Sequence, residues 1–296
     1  MYNPTHRFDT SAESPITTEP TIRWDYQLQG GEEGLLAVWD ETVYVTGKYG
    51  IVAIGQDGTT RWRSKRNEGV GPLTVVDGTV YAGSPDNHVY ALDAESGTEQ
   101  WAFETNGTVA SPPAVVDDTI YVGSEDNRVY ALDASTGTKR WEFETHGDYG
   151  SVRSSPAVVD GTVYVGSNDN HIYALDATNG TKQWAFDANV DAYSSPTVVD
   201  GTVYIGSLFG VYALDANVGI QRWKSGVGTV ESSPAVVDGT VYVGSSDSHV
   251  YALDVERGTE QWSCQTDRDL GKGRVRSAPA GGGSHGNGGR DDNHVY

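Results

Sequence analysis

An all-β fold made from one repeated unit is predicted by three features of the sequence. Seven tryptophans, Trp24, Trp62, Trp101, Trp141, Trp184, Trp223 and Trp262, recur at gaps of 38, 39, 40, 43, 39 and 39 residues. Self-similarity near this period marks a small supersecondary unit stacked on copies of itself. Each period holds four short runs of strand character divided by turn signals. No window repeats apolar residues at i, i+3, i+4 and i+7 over a helical length, so helix builds none of the core. Four antiparallel strands at a period near 40 residues describe the blade of a β-propeller.

The elements follow in order. Residues 1–20, MYNPTHRFDTSAESPITTEP, are rich in Ser, Thr, Pro and acid and predict a disordered lead-in. They lack the apolar centre of a signal peptide. A single propeller domain is expected over 21–296. Its first strand, at 21–28, is an orphan fourth strand carrying Trp24. Six complete blades then end at Trp62, Trp101, Trp141, Trp184, Trp223 and Trp262. The unit from Ser154, SSPAVVDGTVYVGSNDNHIYALDATNGTKQWAF, shows the grammar. Asp160-Gly161 joins its first two strands, the strongest short hairpin signal. Asp169-Asn170 turns the second strand into the third, and Asn179-Gly180 turns the third into the fourth.

After Trp262 the sequence offers a first strand at 275–280 and a third at 294–296. With the 21–28 strand these predict a seventh blade shared between the termini, which removes the open strand edges of an unclosed ring. Its second strand is replaced by GGGSHGNGGR at 281–290. The interval Pro279 to Tyr296 equals Pro234 to Tyr251, so nothing is inserted. Codons permitted by this decapeptide, read one nucleotide later, give VVDRTVTVGE, seven of ten matches to the template VVDGTVYVGS. A local frameshift restored at Asp291 is the expected origin of this degenerate strand.

Recurring residues have structural reasons. Pro72, Pro113, Pro156, Pro196, Pro234 and Pro279 open first strands, where a missing N–H is tolerated. Twelve of the 17 tyrosines occupy two fixed places, as Tyr121 and Tyr130 do, suited to packing between sheets. Gly97, Gly137, Gly180, Gly219 and Gly258 supply a positive φ between third and fourth strands.

Around each tryptophan runs the pattern A-x-D-x-x-[ST]-G-x-x-x-W. Ala91, Asp93, Ser96, Gly97 and Trp101 match it, as do Ala131, Asp133, Thr136, Gly137 and Trp141. Asn179, Val218 and Arg257 depart at the hydroxyl position, and the first blade is one residue short between Ala53 and Trp62. The pattern resembles the tryptophan-docking motif of the pyrroloquinoline-quinone-like (PQQ-like) propeller repeat family, over about residues 21–296. The resemblance implies that Trp24, Trp62, Trp101, Trp141, Trp184, Trp223 and Trp262 lock adjacent blades together. It offers two functional branches. Quinoprotein dehydrogenases carry PQQ and calcium beside a pair of bridged adjacent cysteines. This chain has one cysteine, Cys264, and lacks the long insertions of a cofactor chamber. The other branch is the non-catalytic scaffold, such as the lipoprotein of outer-membrane protein assembly. The scaffold reading fits better and implies no catalytic residue, no cofactor and no metal. The alternative is a PQQ- and calcium-dependent alcohol or sugar oxidoreductase.

Charge is the strong compositional signal. There are 41 acidic against 20 basic residues, net −21, with 26 Asp and only 6 Lys. Dense surface carboxylates suit a halophile, since salt screens their mutual repulsion; an ordinary acidic extracellular propeller is the alternative. Phosphate repulsion argues against nucleic-acid partners. No run approaches 18 apolar residues, so no spanning helix is expected. Cytoplasmic residence is the default expectation, with export or surface anchoring if a segment precedes the N-terminus. A monomer that binds a protein or an anionic peptide is expected.

Candidate chemistry resolves mostly into structure. His88, His171, His249 and His294 each follow Asp-Asn or Asp-Ser in one repeated place. Equivalent places on different blades are spread around a ring, whereas metal ligands must converge within about 2–2.5 Å of one ion. The repeated aspartates lack calcium-loop spacing and suit turns. No G-x-S-x-G, H-E-x-x-H or P-loop is present. Cys264 is expected to be a small packed strand residue.

What departs from the repeat is each blade-to-blade connection, and variable loops on a rigid scaffold are where binding resides. Two connections concentrate positive charge: Arg61, Arg63, Lys65 and Arg66 before blade two, and Arg268, Lys272, Arg274 and Arg276 before blade seven. Arg63, Lys65, Arg66, Arg268, Lys272, Arg274 and Arg276, with Tyr149, Arg153 and Tyr193, are the candidate partner-binding residues. Local pairing with neighbouring carboxylates is the competing reading.

Overall fold

The computed structural model of the chain describes residues 24–26, 36–64, 69–147, 150–188 and 194–266. The lead-in at 1–20, most of the 21–28 strand, the degenerate strand at 281–290 and the remainder of the expected seventh blade lie outside the described residues.

Every described element is a strand. Blade 1 comprises β1 (Leu36–Trp39), β2 (Thr42–Gly47), β3 (Gly50–Gly55) and β4 (Thr60–Arg63). Blade 2 has β5 (Leu73–Val76), β6 (Thr79–Gly83), β7 (His88–Asp93) and β8 (Glu99–Glu104). Blade 3 has β9 (Ala114–Val116), β10 (Thr119–Ser124), β11 (Arg128–Asp133) and β12 (Lys139–Glu144). Blade 4 has β13 (Ala157–Val159), β14 (Thr162–Gly166), β15 (His171–Asp176) and β16 (Lys182–Asp187). Blade 5 has β17 (Thr197–Val199), β18 (Thr202–Ser207), β19 (Gly210–Asp215) and β20 (Gln221–Ser225). Blade 6 has β21 (Ala235–Val237), β22 (Thr240–Gly244), β23 (His249–Asp254) and β24 (Glu260–Gln265). Each blade is an antiparallel meander with its strands in chain order, the architecture of a β-propeller.

The turns follow from the residues. First and second strands join at Asp77-Gly78 with φ of 47° and 76°, a type I′ hairpin. Asp117-Asp118 makes the same turn without glycine, at 46° and 56°. The bend between third and fourth strands carries a register shift after the alanine of each A-x-D, as between Ala131 and Leu132. There Asp133 Oδ1 accepts from the Thr136 N–H at 3.0 Å. Asp176, Asp215 and Asp254 accept the same backbone bond from Asn179, Val218 and Arg257. The motif tolerates those departures because the backbone carries the cap.

The chain divides into two compact units, blades 1–3 with Ser151–Arg153, and blades 4–6 with His146–Gly150. In the first, Tyr44, Ile51 and Ala53 pack on Val80, Ala82 and Leu92, and Tyr81 and Val89 pack on Ile120, Val122 and Leu132. In the second, Ile172 and Ala174 meet Ile205 and Leu214, and Val211 and Ala213 meet Val241 and Leu253. The core thus lies between neighbouring sheets. Strands such as β10 and β18 are buried along their whole length, because a sheet covered on both faces loses the apolar–polar alternation.

Candidate functional site

The two ends of the blades differ in chemistry. At one end stand the turns between first and second and between third and fourth strands, held alike in blades 2–6. Ala94 N–H donates to Gly78 O, Ala134 to Asp118, Ala177 to Gly161, Ala216 to Gly201 and Val255 to Gly239. Onto this end four of the tryptophans reach from the preceding blade. Trp62 Nε1 donates to Ala94 O at 2.8 Å, Trp101 to Ala134 O at 3.0 Å, Trp184 to Ala216 O at 2.9 Å and Trp223 to Val255 O at 2.9 Å. Gly97, Gly137, Gly219 and Gly258 lie directly beneath the four indoles. Trp24 makes the same contact with blade 1, through Gln56 O at 2.9 Å and Gly58. Trp141 is buried and tilts against Tyr121 with centroids 5.8 Å apart.

Trp262 is different, 47% exposed. Cys264, two residues on, is exposed as well, which corrects the expectation of a packed residue. In blades 2 and 4 its place is taken by Phe103 and Phe186, which pack edge-on against Tyr130 and Tyr212 of the following blade. No described residue covers Cys264 in this way.

The other end carries the hairpins between second and third strands and the connections between blades. The connections wedge between successive hairpins: Val109 N–H donates to Ser84 O behind it, and Glu125 N–H donates to Thr108 O from the hairpin ahead. The hairpins of blades 2, 3, 4 and 6 are each braced by an aspartate that accepts from the tyrosine four residues on. The pairs are Asp86–Tyr90 at 2.7 Å, Asp126–Tyr130 at 2.6 Å, Asp169–Tyr173 at 2.5 Å and Asp247–Tyr251 at 2.6 Å. Burial, reinforced by the adjacent Asp247 carboxylate, pushes the Tyr251 hydroxyl up to about 12. Burial and the partner aspartate raise Tyr130 and Tyr173 further still. His88, His171 and His249 each turn Nδ1 onto the carbonyl of the same aspartate, at 2.9, 2.9 and 3.1 Å. They are hairpin residues, one to a blade; His294 lies outside the described residues. Among the described residues no three His, Cys, Asp or Glu side chains are arranged to hold a metal ion.

Blade by blade, this end varies. In blade 5 the hairpin is shortened to Ser207-Leu208-Phe209-Gly210 and has no aspartate. Tyr212 donates instead to Ala188 O at 2.9 Å and accepts from Lys224 Nζ at 2.8 Å. Phe209 stands 58% exposed, with Lys224 Nζ 5.7 Å from its ring centroid. In the first unit Arg153 pairs with Glu125 at 2.9 Å. Arg63 lies on β4, stacks 5.6 Å over the Tyr26 ring and donates to its hydroxyl. Of the ten candidate partner-binding residues these two are described, and each is engaged locally. Lys65, Arg66, Tyr149, Tyr193, Arg268, Lys272, Arg274 and Arg276 lie outside the described residues. Phe209 and Lys224 were missed by sequence reasoning that followed charge; the lost aspartate of S-L-F-G was the available signal.

A sequence profile described as outer membrane protein assembly factor BamB matches residues 17–111, 107–208 and 192–284. Among curated protein sequences none matches the chain. Among solved structures, BamB from Moraxella catarrhalis is similar at 23% identity and a TM-score of 0.67, over 83% of this chain and 76% of that one. The computationally designed Ika8 protein is similar at 18% identity and a TM-score of 0.71, over 82% and 76%. A europium-containing methanol dehydrogenase is similar at 15% identity and a TM-score of 0.64, over 88% and 82%. At such identities these likenesses carry the propeller fold and nothing further.

Proposed function

The chain belongs to the outer membrane protein assembly factor BamB family, and on that premise we propose that it is a non-catalytic scaffold that binds protein partners through the hairpin-and-connection end of its blades. The observation that carries this reading is the contrast between the two ends. One repeats the same turn bonds blade after blade. The other departs from its repeat in particular blades, presenting an exposed Phe209 with Lys224 in one place and Arg153 in another. Aromatic side chains and arginine suit the centre of a protein interface. In a chain of net charge −21, cations at this end suit an acidic segment of a partner. Lys65, Arg66, Arg268, Lys272, Arg274 and Arg276 extend the same proposal.

The second reading, a PQQ- and calcium-dependent oxidoreductase, draws on the fold shared with the methanol dehydrogenase. The described residues lend it no support. Calcium takes six to eight oxygen ligands, while the repeated aspartates here are engaged in turns and tyrosine pairs. The single cysteine, Cys264, cannot supply a bridged pair.

Titration of the full chain with PQQ and calcium, followed by absorbance and by dye-linked alcohol oxidation, separates the readings. The scaffold predicts neither stoichiometric quinone binding nor turnover. One equivalent of bound quinone, or dye reduction with an alcohol, overturns it.

A further inference from the structure

We propose that His146 and His171 form a two-imidazole site for a divalent transition-metal cation of the zinc, nickel and copper class, with water completing the coordination. The two rings stack with centroids 5.7 Å apart and planes inclined by 28°. They come from different elements: His171 opens β15, while His146 lies in the connection that reaches blade 4. Asp169 draws the two together. Its side chain is only 5% exposed; Oδ2 accepts from the His146 N–H at 2.7 Å and Oδ1 from the His171 N–H at 3.0 Å.

The hydrogen bonds also fix both tautomers. A backbone carbonyl only accepts, so His171 Nδ1, 2.9 Å from Asp169 O, carries the proton. The Tyr173 hydroxyl gives its proton to the Asp169 carboxylate, and therefore accepts from His146 Nδ1 at 3.2 Å. Both Nε2 atoms are left with free lone pairs. A metal-binding histidine is held in just this way, its second ring nitrogen donating to a fixed acceptor. His146 is exposed and His171 partly so. The site requires the exposed His146 ring to tilt so that both Nε2 atoms meet one ion at the usual distance of about 2.0–2.1 Å. Imidazole selects metals of this class over the hard cations that carboxylates prefer, and the net charge of −21 raises cation concentration at the surface.

Blade 6 is a built-in control. His249, Asp247 and Tyr251 repeat the hairpin geometry of blade 4. Opposite them is Gly228, where an added Cβ would stand 3.6 Å from Asp247 Oδ2. One imidazole there has no second. In blade 3 the facing residues are Asn106 and Arg128, which offer no imidazole at all.

The test is calorimetric titration of zinc chloride, and separately nickel chloride, into the full chain with excess magnesium to saturate the carboxylates. Wild type is expected to bind one equivalent that His146→Gln weakens at least tenfold and His249→Gln leaves unchanged. His171→Gln is expected to match His146→Gln, and zinc should perturb the NMR signals of His146 and His171 but not His249. Since His146 is exposed, its substitution decides the matter even if His171→Gln disturbs the hairpin. An isotherm unchanged by His146→Gln, an equal loss in His249→Gln, or the lack of any saturable binding by wild type overturns the site.

Discussion

At Gly137 the backbone has φ +69°, and the ring of Trp101 lies 2.5 Å from where a Cβ would stand. Gly161 has nearly the same φ, +72°, with nothing within 4 Å. The pair separates backbone strain from the indole contact. A left-handed conformation costs a non-glycine residue about 1–2 kcal/mol, and Gly161→Ala is expected to lose about that much. Gly137→Ala adds a collision with a ring held by its own hydrogen bond, so a loss of about 3 kcal/mol or more is expected, in the range of a damaged core. Urea denaturation of the two variants measures the difference; equal losses would mean the indole yields without cost. At this scale much was legible. The turn glycines announced themselves by spacing, as did the prolines, which stand one residue before β5, β9, β13, β17 and β21. His146 did not, because its partner His171 is 25 residues away and only the fold brings them together.

Hairpins and turns are where the element scale meets pH. Tyr130, Tyr173 and Tyr251 all resist ionisation, first through burial and then through the aspartate each one bonds. Their folded-state values lie above the unfolded value near 10. The stability they contribute is complete below pH 10 and drains away as pH rises from there. The turn aspartates behave oppositely. Asp133 is lowered by Arg140 and by the Ser135 and Thr136 hydroxyls, Asp93 by Ser96, and Asp215 by Arg222. Their contribution is present above about pH 4 and is lost as pH falls below it. A urea midpoint that stays level between about pH 5 and 9, and falls on both sides, is expected. A decline that begins near pH 7 would show that these groups do not govern the pH response. The four-strand grammar of each blade was readable because Asp-Gly, Asp-Asn and A-x-D punctuate it. The shortened hairpin at Ser207–Gly210 was harder to interpret, since losing its aspartate redirects Tyr212 to Ala188 and Lys224, contacts that no local pattern encodes.

For the whole molecule, the tryptophan period foretold the propeller, and family membership over residues 17–284 agrees with it. Trp24 is the outlying member of that series. It docks on blade 1 as Trp62 docks on blade 2, and Tyr26 adds a 3.0 Å hydrogen bond to Thr60. We take residues 21–28 to be the fourth strand of a seventh blade, so Trp24→Ala should cost about 2 kcal/mol by emptying the face above Gly58. An unchanged denaturation midpoint would remove that strand from the fold. The candidate binding surface was less legible than the architecture. Sequence reasoning singled out Arg63 and Arg153, yet both have local partners. Exposed Phe209 emerged only when the blades could be compared in three dimensions. The central claim is that partners engage the variable end of the blades. Photo-cross-linking residues placed at Phe209 and Arg153, and at Val218 and Glu95 on the repeated end, test it in extracts of the protein's own cells. Specific adducts from Phe209 or Arg153, with none from Val218 or Glu95, are the predicted result; specific adducts confined to Val218 or Glu95, or none from either end, would contradict it.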